Sequence, residues 1–309
     1  MMQNSLRLLF FCALPFFALS CASNAATAEE YYSIGMAYYE LGKFPEAERW
    51  LLRAAAADKT KTASEYNLGR IAFETGRYED ASRHFENILK RDPDNVMTLK
   101  AAAYTRIKTG DISQAESLYN RVLTLVPESS DDGYNYALVL YALEKYEECQ
   151  NILRKYPITL DEKPDSLLLL ARSQAAANMV EAADNYAGWI SKSTTANPVV
   201  LHEYAQVLEK AELYALALEQ YKNCLAAIKD DLPNLKKNQI HFDMAKLLLT
   251  ADPENPEAIN ELKSAVSEGF KNEEALQVLL LDNRINDEQK AEISKIIEEI
   301  AGKGMGTGE

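Results

Sequence analysis

Small and bulky apolar positions return along this chain at a fixed step of 34 residues. Gly35, Gly69, Ala103, Ala137, Ala171 and Ala205 form one row of small residues, and Ala47, Ala81, Ala115, Cys149, Ala183 and Ala217 form a second. A bulky row runs Phe44, Tyr78, Ile112, Tyr146, Val180 and Tyr214, and a fourth row runs Leu51, Phe85, Tyr119, Leu153, Ala187 and Tyr221. Within one period the apolar spacing is helical, twice over. In residues 62–95, Leu68, Gly69 and Ala72 share the face of a first helix, which Gly76 ends. Tyr78 follows in the turn, and Ala81, Phe85, Ile88 and Leu89 share the face of a second helix. Asp92-Pro93-Asp94 closes the repeat, because proline cannot continue a helix and disfavours α geometry in the residue before it. The small residues let two antiparallel helices approach closely. One such hairpin cannot bury its apolar face alone, so the period predicts an all-α solenoid of stacked helix-turn-helix repeats.

Leu68-Gly69, Gly76, Tyr78, Ala81, Phe85 and Pro93, with their counterparts in the other periods, resemble the tetratricopeptide repeat. Six repeats are read in register: 28–61, 62–95, 96–129, 130–163, 164–197 and 198–231. A degenerate seventh, 238–271, follows a short insertion at Asp230 to Lys237, with Ala245 and Ala258 as its small residues. Residues 272–301 are expected to be capping helices that cover the apolar end of the stack, and 302–309 a glycine-rich tail that frays. The resemblance implies a right-handed α-solenoid that presents a continuous protein- or peptide-binding surface rather than a reactive pocket. One subtype of the family grips a peptide carboxylate with a lysine and asparagine set. Here Asn67 matches the middle position, but Tyr32, Met36, Met97 and Ala101 stand at the others, so that clamp is absent.

Residues 1–28 lie outside the repeat pattern. Arg7, the apolar run Leu8 to Leu19 and the small residues Ser20, Cys21, Ala22 and Ser23 have the three parts of a secretory signal peptide, too short for a comfortable membrane span. Cys21 directly follows the run, as in a bacterial lipoprotein, which implies lipidation there and an exported, periplasmic, membrane-anchored protein. Ordinary cleavage after Ala25 or Ala28 is the alternative to lipidation, and an uncleaved N-terminal anchor is the alternative to a signal peptide.

Composition narrows the partners. The formal net charge of −14 opposes nucleic acid and anionic headgroups, so membrane contact is expected through a lipid on Cys21 rather than a basic surface. Cys149 and Cys224 fall in non-adjacent repeats and read as buried free thiols. His84, His202 and His241 share no metal-ligand spacing, and no phosphate loop or nucleophile elbow occurs, so neither an enzyme nor a cofactor is expected.

In this family the first helix of each repeat lines the concave surface. Three columns are therefore expected to face inward: Tyr32, Tyr66, Lys100, Tyr134, Leu168, His202; Met36, Arg70, Tyr104, Leu138, Arg172, Gln206; and Tyr39, Phe73, Ile107, Tyr141, Ala175, Glu209. The first four repeats place Tyr32, Tyr39, Tyr66, Phe73, Tyr104, Tyr134 and Tyr141 there, with Arg70 and Lys100 among them. Tyrosine offers contact area at low entropic cost and a hydroxyl, which suits peptide recognition; packing between helices is the competing role. The expectation is a non-enzymatic scaffold of the bacterial envelope. The alternatives are a structural subunit of an envelope assembly or secretion complex docking through convex faces, and an accessory subunit of an enzyme or transporter.

Overall fold

The computed structural model describes residues 27–156 and 164–304, and among them it holds sixteen helices and no strand. The apolar run, Cys21 and the tail beyond residue 304 fall outside the described residues. The helices are α1 Ala28–Glu40, α2 Phe44–Ala54, α3 Asp58–Glu74, α4 Tyr78–Leu89, α5 Val96–Lys108, α6 Ile112–Leu125, α7 Ser130–Ala142 and α8 Tyr146–Lys155. They continue with α9 Pro164–Ala176, α10 Ala182–Lys192, α11 Pro198–Lys210, α12 Tyr214–Ala227, α13 Lys237–Ala251, α14 Glu257–Ser267, α15 Glu273–Leu281 and α16 Asp287–Gly304. Two compact units divide the chain, residues 1–98 and 99–309. In both, helices pack chiefly against their neighbours in sequence.

The small rows are where helices touch. In the first unit Ala47, Leu51, Leu68 and Ile71 form one core cluster, and Ala81 and Phe85 are equally buried. A Cβ added at Gly69 would lie 2.6 Å from the Phe85 ring, so the bulky member of α4 occupies the volume that the glycine of α3 leaves open. In the second unit Ala103, Ala115, Tyr119, Ala137, Cys149 and Leu153 join one core. Ala205, Ala217 and Tyr221 join another, to which Ile240, Met244 and Leu247 of α13 belong. Burial of the Ala115 class of residue removes apolar area at about 25 cal/mol per Å², and the close helix approach it permits buries larger neighbours as well.

The turn between paired helices repeats as strictly as the cores. Gly42, Gly76, Gly110, Glu144, Asn178 and Glu212 all hold positive φ, between 56° and 81°, and they too are 34 apart. After each, the next helix begins at Phe44, Tyr78, Ile112, Tyr146 or Tyr214, with one exception. In the fifth repeat α10 starts at Ala182, two residues late. Ala182 is fully buried there whereas Ala183 is half-buried, and Tyr186 is buried while Ala187 is exposed. Val180, expected to pack, is 65% exposed. The side-chain register of α10 has therefore slipped by one residue, although the turn at Asn178 and the following turn at Glu212 keep the period. A helix entered through Glu181 in place of a bulky first residue explains the slip: the large ring at Tyr186 seats in the groove and carries the helix with it.

The last four helices form one further core. Phe242, Leu249, Ala258, Leu262, Leu276 and Ile293 are among its buried residues, and the Phe242 and Phe270 rings stack at 4.3 Å. On α15, Leu276 and Leu279 are buried in this core, while Val278 and Leu281 point outward, 60% and 80% exposed.

Candidate protein-binding surface

The residues singled out from the sequence fall in both units. In the first, the inner tyrosines are joined by a polar network. Asn67 Nδ2 donates to the Tyr32 hydroxyl at 3.1 Å, and Arg70 donates to Asn67 Oδ1 at 3.3 Å and to the Tyr39 hydroxyl at 2.6 Å. The Arg70 guanidinium also lies 4.7 Å from the centre of the Tyr39 ring, and Tyr39 donates to Glu74. Burial, together with the Glu74 hydrogen bond, pushes the Tyr39 hydroxyl up to about 12. Arg70 is thus already engaged by Asn67, Tyr39 and, at 4.0 Å, Glu74. Tyr66 is half-buried with its ring 5.7 Å from Phe85, and burial raises its hydroxyl as well.

The third expected column has a second task. Tyr39 packs on Phe44, Phe73 on Tyr78 and Tyr141 on Tyr146, with ring centres 5.9, 5.3 and 5.6 Å apart. In each case the last turn of one helix meets the first residue of the next across the left-handed turn. Part of the aromatic content of this face is therefore hairpin packing.

In the second unit Tyr104 is 48% exposed and Leu138 40%, so the middle column is the one that presents apolar surface to solvent. Lys108 Nζ sits 5.4 Å from the Tyr104 ring. Lys100 Nζ lies 2.5 Å from Asp132 Oδ2, whose side chain is 3% exposed. That lysine compensates a buried carboxylate rather than standing free. Tyr134 is half-buried, and its hydroxyl is raised by burial and by Asp165.

Beyond Tyr134 the same face opens into a cleft of ≈ 460 Å³, with Tyr141, Arg172, Gln206, Glu209, Lys210 and Lys246 in its walls. Arg172 binds Glu203 through two parallel bonds, Nε to Oε2 at 2.9 Å and Nη2 to Oε1 at 3.1 Å. Burial works against the Arg172 charge, and the Glu203 bonds outweigh it, leaving its pKa raised. Tyr186, made a core residue by the slip in α10, donates to the same Glu203 at 3.2 Å. Lys246 Nζ lies 2.9 Å from Glu209, which also accepts from the Tyr221 hydroxyl at 3.1 Å. Lys210 bonds only the Asn178 amide oxygen at 3.3 Å, with no carboxylate partner among the described residues. Three cations thus face two carboxylates here, in a chain of formal net charge −14. Arg172, Gln206 and Glu209 stand on the inward columns expected from the sequence, but outside the aromatic set singled out there. The available signal was the run of charge where aromatic residues stop.

Among the described residues no group of histidine, cysteine and acidic side chains could hold a metal ion, and no helix is long and apolar enough to cross a membrane. Cys149 and Cys224 are buried free thiols, pushed up by burial to about 11 and about 12.

Tetratricopeptide-repeat family models match residues 28–61 and 72–131, and a model described as anaphase-promoting complex, cyclosome, subunit 3 matches residues 108–190. An uncharacterized lipoprotein of Treponema pallidum (strain Nichols) is 26% identical over 161 residues, 52% of this chain and 78% of that protein. Among solved structures, a tetratricopeptide repeat protein from Parabacteroides merdae ATCC 43184 covers 82% of this chain and 98% of its own, at TM-score 0.55 and 20% identity. YrrB, described as a TPR protein with an unusual peptide-binding site, covers 63% and 96% at TM-score 0.53 and 12% identity. The family models thus identify tetratricopeptide repeats within residues 28–131, and the solved structures with the helices above show an all-α solenoid fold.

Proposed function

We propose that this protein is a non-enzymatic scaffold of a bacterial cell envelope that holds an extended segment of a partner protein along its inner helices. The repeats are taken as the six of 28–231 with a seventh at 238–271. In this reading the second unit supplies the main contact: Tyr104 and Leu138 offer apolar surface, and the cleft beyond Tyr141 takes the polar end of the segment. The observation that carries the reading is Lys210, a cation without a carboxylate partner among the described residues, in a cleft where Arg172 and Lys246 are already balanced. A carboxylate in the ligand would complete it as a charge-assisted pair at the rim of the cleft. The first unit, with Tyr32, Tyr39, Tyr66, Arg70 and Phe73, offers a stiffer face whose hydroxyls are largely committed. Export and anchoring through Cys21 are supported by the apolar run and by the lipoprotein relative.

The test is selection of peptides by the full-length protein from an immobilised library of extended sequences, followed by titration of the winners. Segments combining leucine or phenylalanine with glutamate or aspartate are expected. Lys210→Glu should weaken them by tenfold or more. Tyr104→Ala should weaken them by about 2 kcal/mol, the cost of losing a central aromatic anchor, while the melting temperature changes little. Selection of no peptide, or of peptides indifferent to both substitutions, would remove the cleft from the reading.

A further inference from the structure

One surface of the first unit gathers two arginines over a pair of stacked aromatic rings. Arg77, Lys145, Arg172 and Lys246 each pair with a carboxylate. Arg49 and Arg53, on the outer face of α2, have no carboxylate partner among the described residues and lie over aromatic rings instead. Arg53 is 4.7 Å from the centre of the Trp50 ring and 5.9 Å from that of Tyr31, and Arg49 is 5.4 Å from Trp50. Tyr31 of α1 and Trp50 of α2 stack at 5.6 Å. Leu52 flanks the cluster, 60% exposed. The opposite face of α2, Ala47, Leu51 and Ala54, is fully buried, so the hairpin is anchored by one side and offers the other. Three carboxylates border the patch: Glu46, one turn earlier on α2, and Glu29 and Glu30 in the first turn of α1, while Glu48 is paired with Arg77.

The place of this surface in the chain matters as much as its chemistry. Thr27 and Glu30 form a reciprocal capping box, which fixes where the chain enters α1, one turn before Tyr31. The residues ahead of that point carry the apolar run Leu8 to Leu19 and Cys21. From Cys21 to Thr27 is six residues. Fully extended, they span at most about 20 Å. A chain held to a bilayer at Cys21 therefore keeps the Tyr31–Trp50 face within reach of the headgroups. Such tethering turns a weak contact into an intramolecular one at high effective concentration. Tryptophan and tyrosine favour the bilayer interface, where an apolar ring and a polar edge are both satisfied, and guanidinium groups pair with phosphate.

We propose that Tyr31, Trp50, Arg49 and Arg53 form a docking face for the phosphate-bearing headgroup layer of a phospholipid bilayer, orienting the first hairpin on the membrane. This rests on the membrane-anchored reading above. The hairpin as a whole remains acidic, so the contact is local: the two arginines supply the cations and the two rings the interfacial anchors.

The experiment uses the full-length chain with Trp189→Phe, which leaves Trp50 as the sole tryptophan of the two. Trp50 emission is followed on titration with vesicles of phosphatidylglycerol and phosphatidylethanolamine, while co-sedimentation reads attachment of the whole protein. The expected result is a blue shift of Trp50, quenched by lipids brominated in the upper acyl chain. Arg49→Gln and Arg53→Gln should each raise the vesicle concentration needed for the shift about fivefold. The shift should weaken on pure phosphatidylcholine, and unchanged far-ultraviolet dichroism of the variants separates loss of contact from loss of fold. Co-sedimentation without a Trp50 shift overturns the docking face and leaves the anchor standing. In Cys21→Ala the same shift should need a higher vesicle concentration, because the tether that raises the effective concentration is gone. A shift indifferent to both arginine substitutions, or no shift and no co-sedimentation, overturns the proposal.

Discussion

At the scale of single residues, Lys100 shows that a cation on an inward column can already be paired within the protein. It lies on the inward face and carries a charge, which reads as a ligand contact. Its ammonium is spent on Asp132, a carboxylate with a 3% exposed side chain. Removing one partner of such a pair leaves the other charge buried and uncompensated, a cost of about 3–5 kcal/mol when both are enclosed. Lys100 is itself 41% exposed, so solvent screening lowers the expected loss. For Lys100→Met it is about 2 kcal/mol. Thermal or urea unfolding of Lys100→Met beside Lys100→Met/Asp132→Asn checks this, since the double variant should recover much of the loss. If the single variant melts like the parent while partner binding falls, Lys100 belongs to the ligand and not to the fold. Arg70 carries the same lesson more gently, being held by Asn67 and Tyr39 at the surface of the first unit.

At the scale of the helix, the clearest departure from the sequence pattern is α10. The period points to Ala183 as the small packing residue, and Ala182 takes that place with 0% exposure. Ala182→Leu should cost about 1–3 kcal/mol through overpacking, and Ala183→Leu, half-buried, clearly less. Paired melting curves decide it, and equal losses would return α10 to the register of its neighbours. The reason the sequence concealed the slip is physical. Alanines stand at 182 and 183 alike, so the small row continues through either residue. Only the larger side chains, Tyr186 buried and Val180 exposed, tell the two registers apart. The hairpins themselves were legible because a glycine or alanine facing a bulky partner has few alternative meanings, as Gly69 against Phe85 shows. The surface was less so: a tyrosine on an inner helix reads the same whether its ring packs on the next helix, as Tyr141 does on Tyr146, or waits for a ligand. The cleft beyond it depends on ion pairs between residues about one repeat apart, such as Arg172 with Glu203, and helical periodicity in apolar residues carries no record of those.

Over the whole molecule, hydroxyl and thiol protons buried in both units bear on stability in one direction. Tyr39 and Tyr119 are pushed up to about 12 from 10.0, and Cys149 and Cys224 to about 11 and about 12 from 9.0, with burial the leading cause in each. Between pH 9 and 12 the unfolded chain releases these protons while the folded one retains them. Unfolding then releases protons, so stability is fully present below pH 9 and falls as pH rises through that window. Urea midpoints should be lower at pH 10.5 than at pH 8.5, and a midpoint that holds or rises over that interval contradicts the burial of these groups. Two of the same residues, the free thiols, also mean that no covalent bond ties distant parts of the described chain together. Helices find their partners among their immediate neighbours, α1 with α2, α3 with α4, α11 with α12, α13 with α14. Loops that close over so few residues cost little entropy, and chains dominated by local contacts fold fast. A polypeptide emerging N-terminus first from a ribosome or a translocation channel can therefore close each hairpin as soon as its second helix is free, without an oxidant and without waiting for its C-terminus.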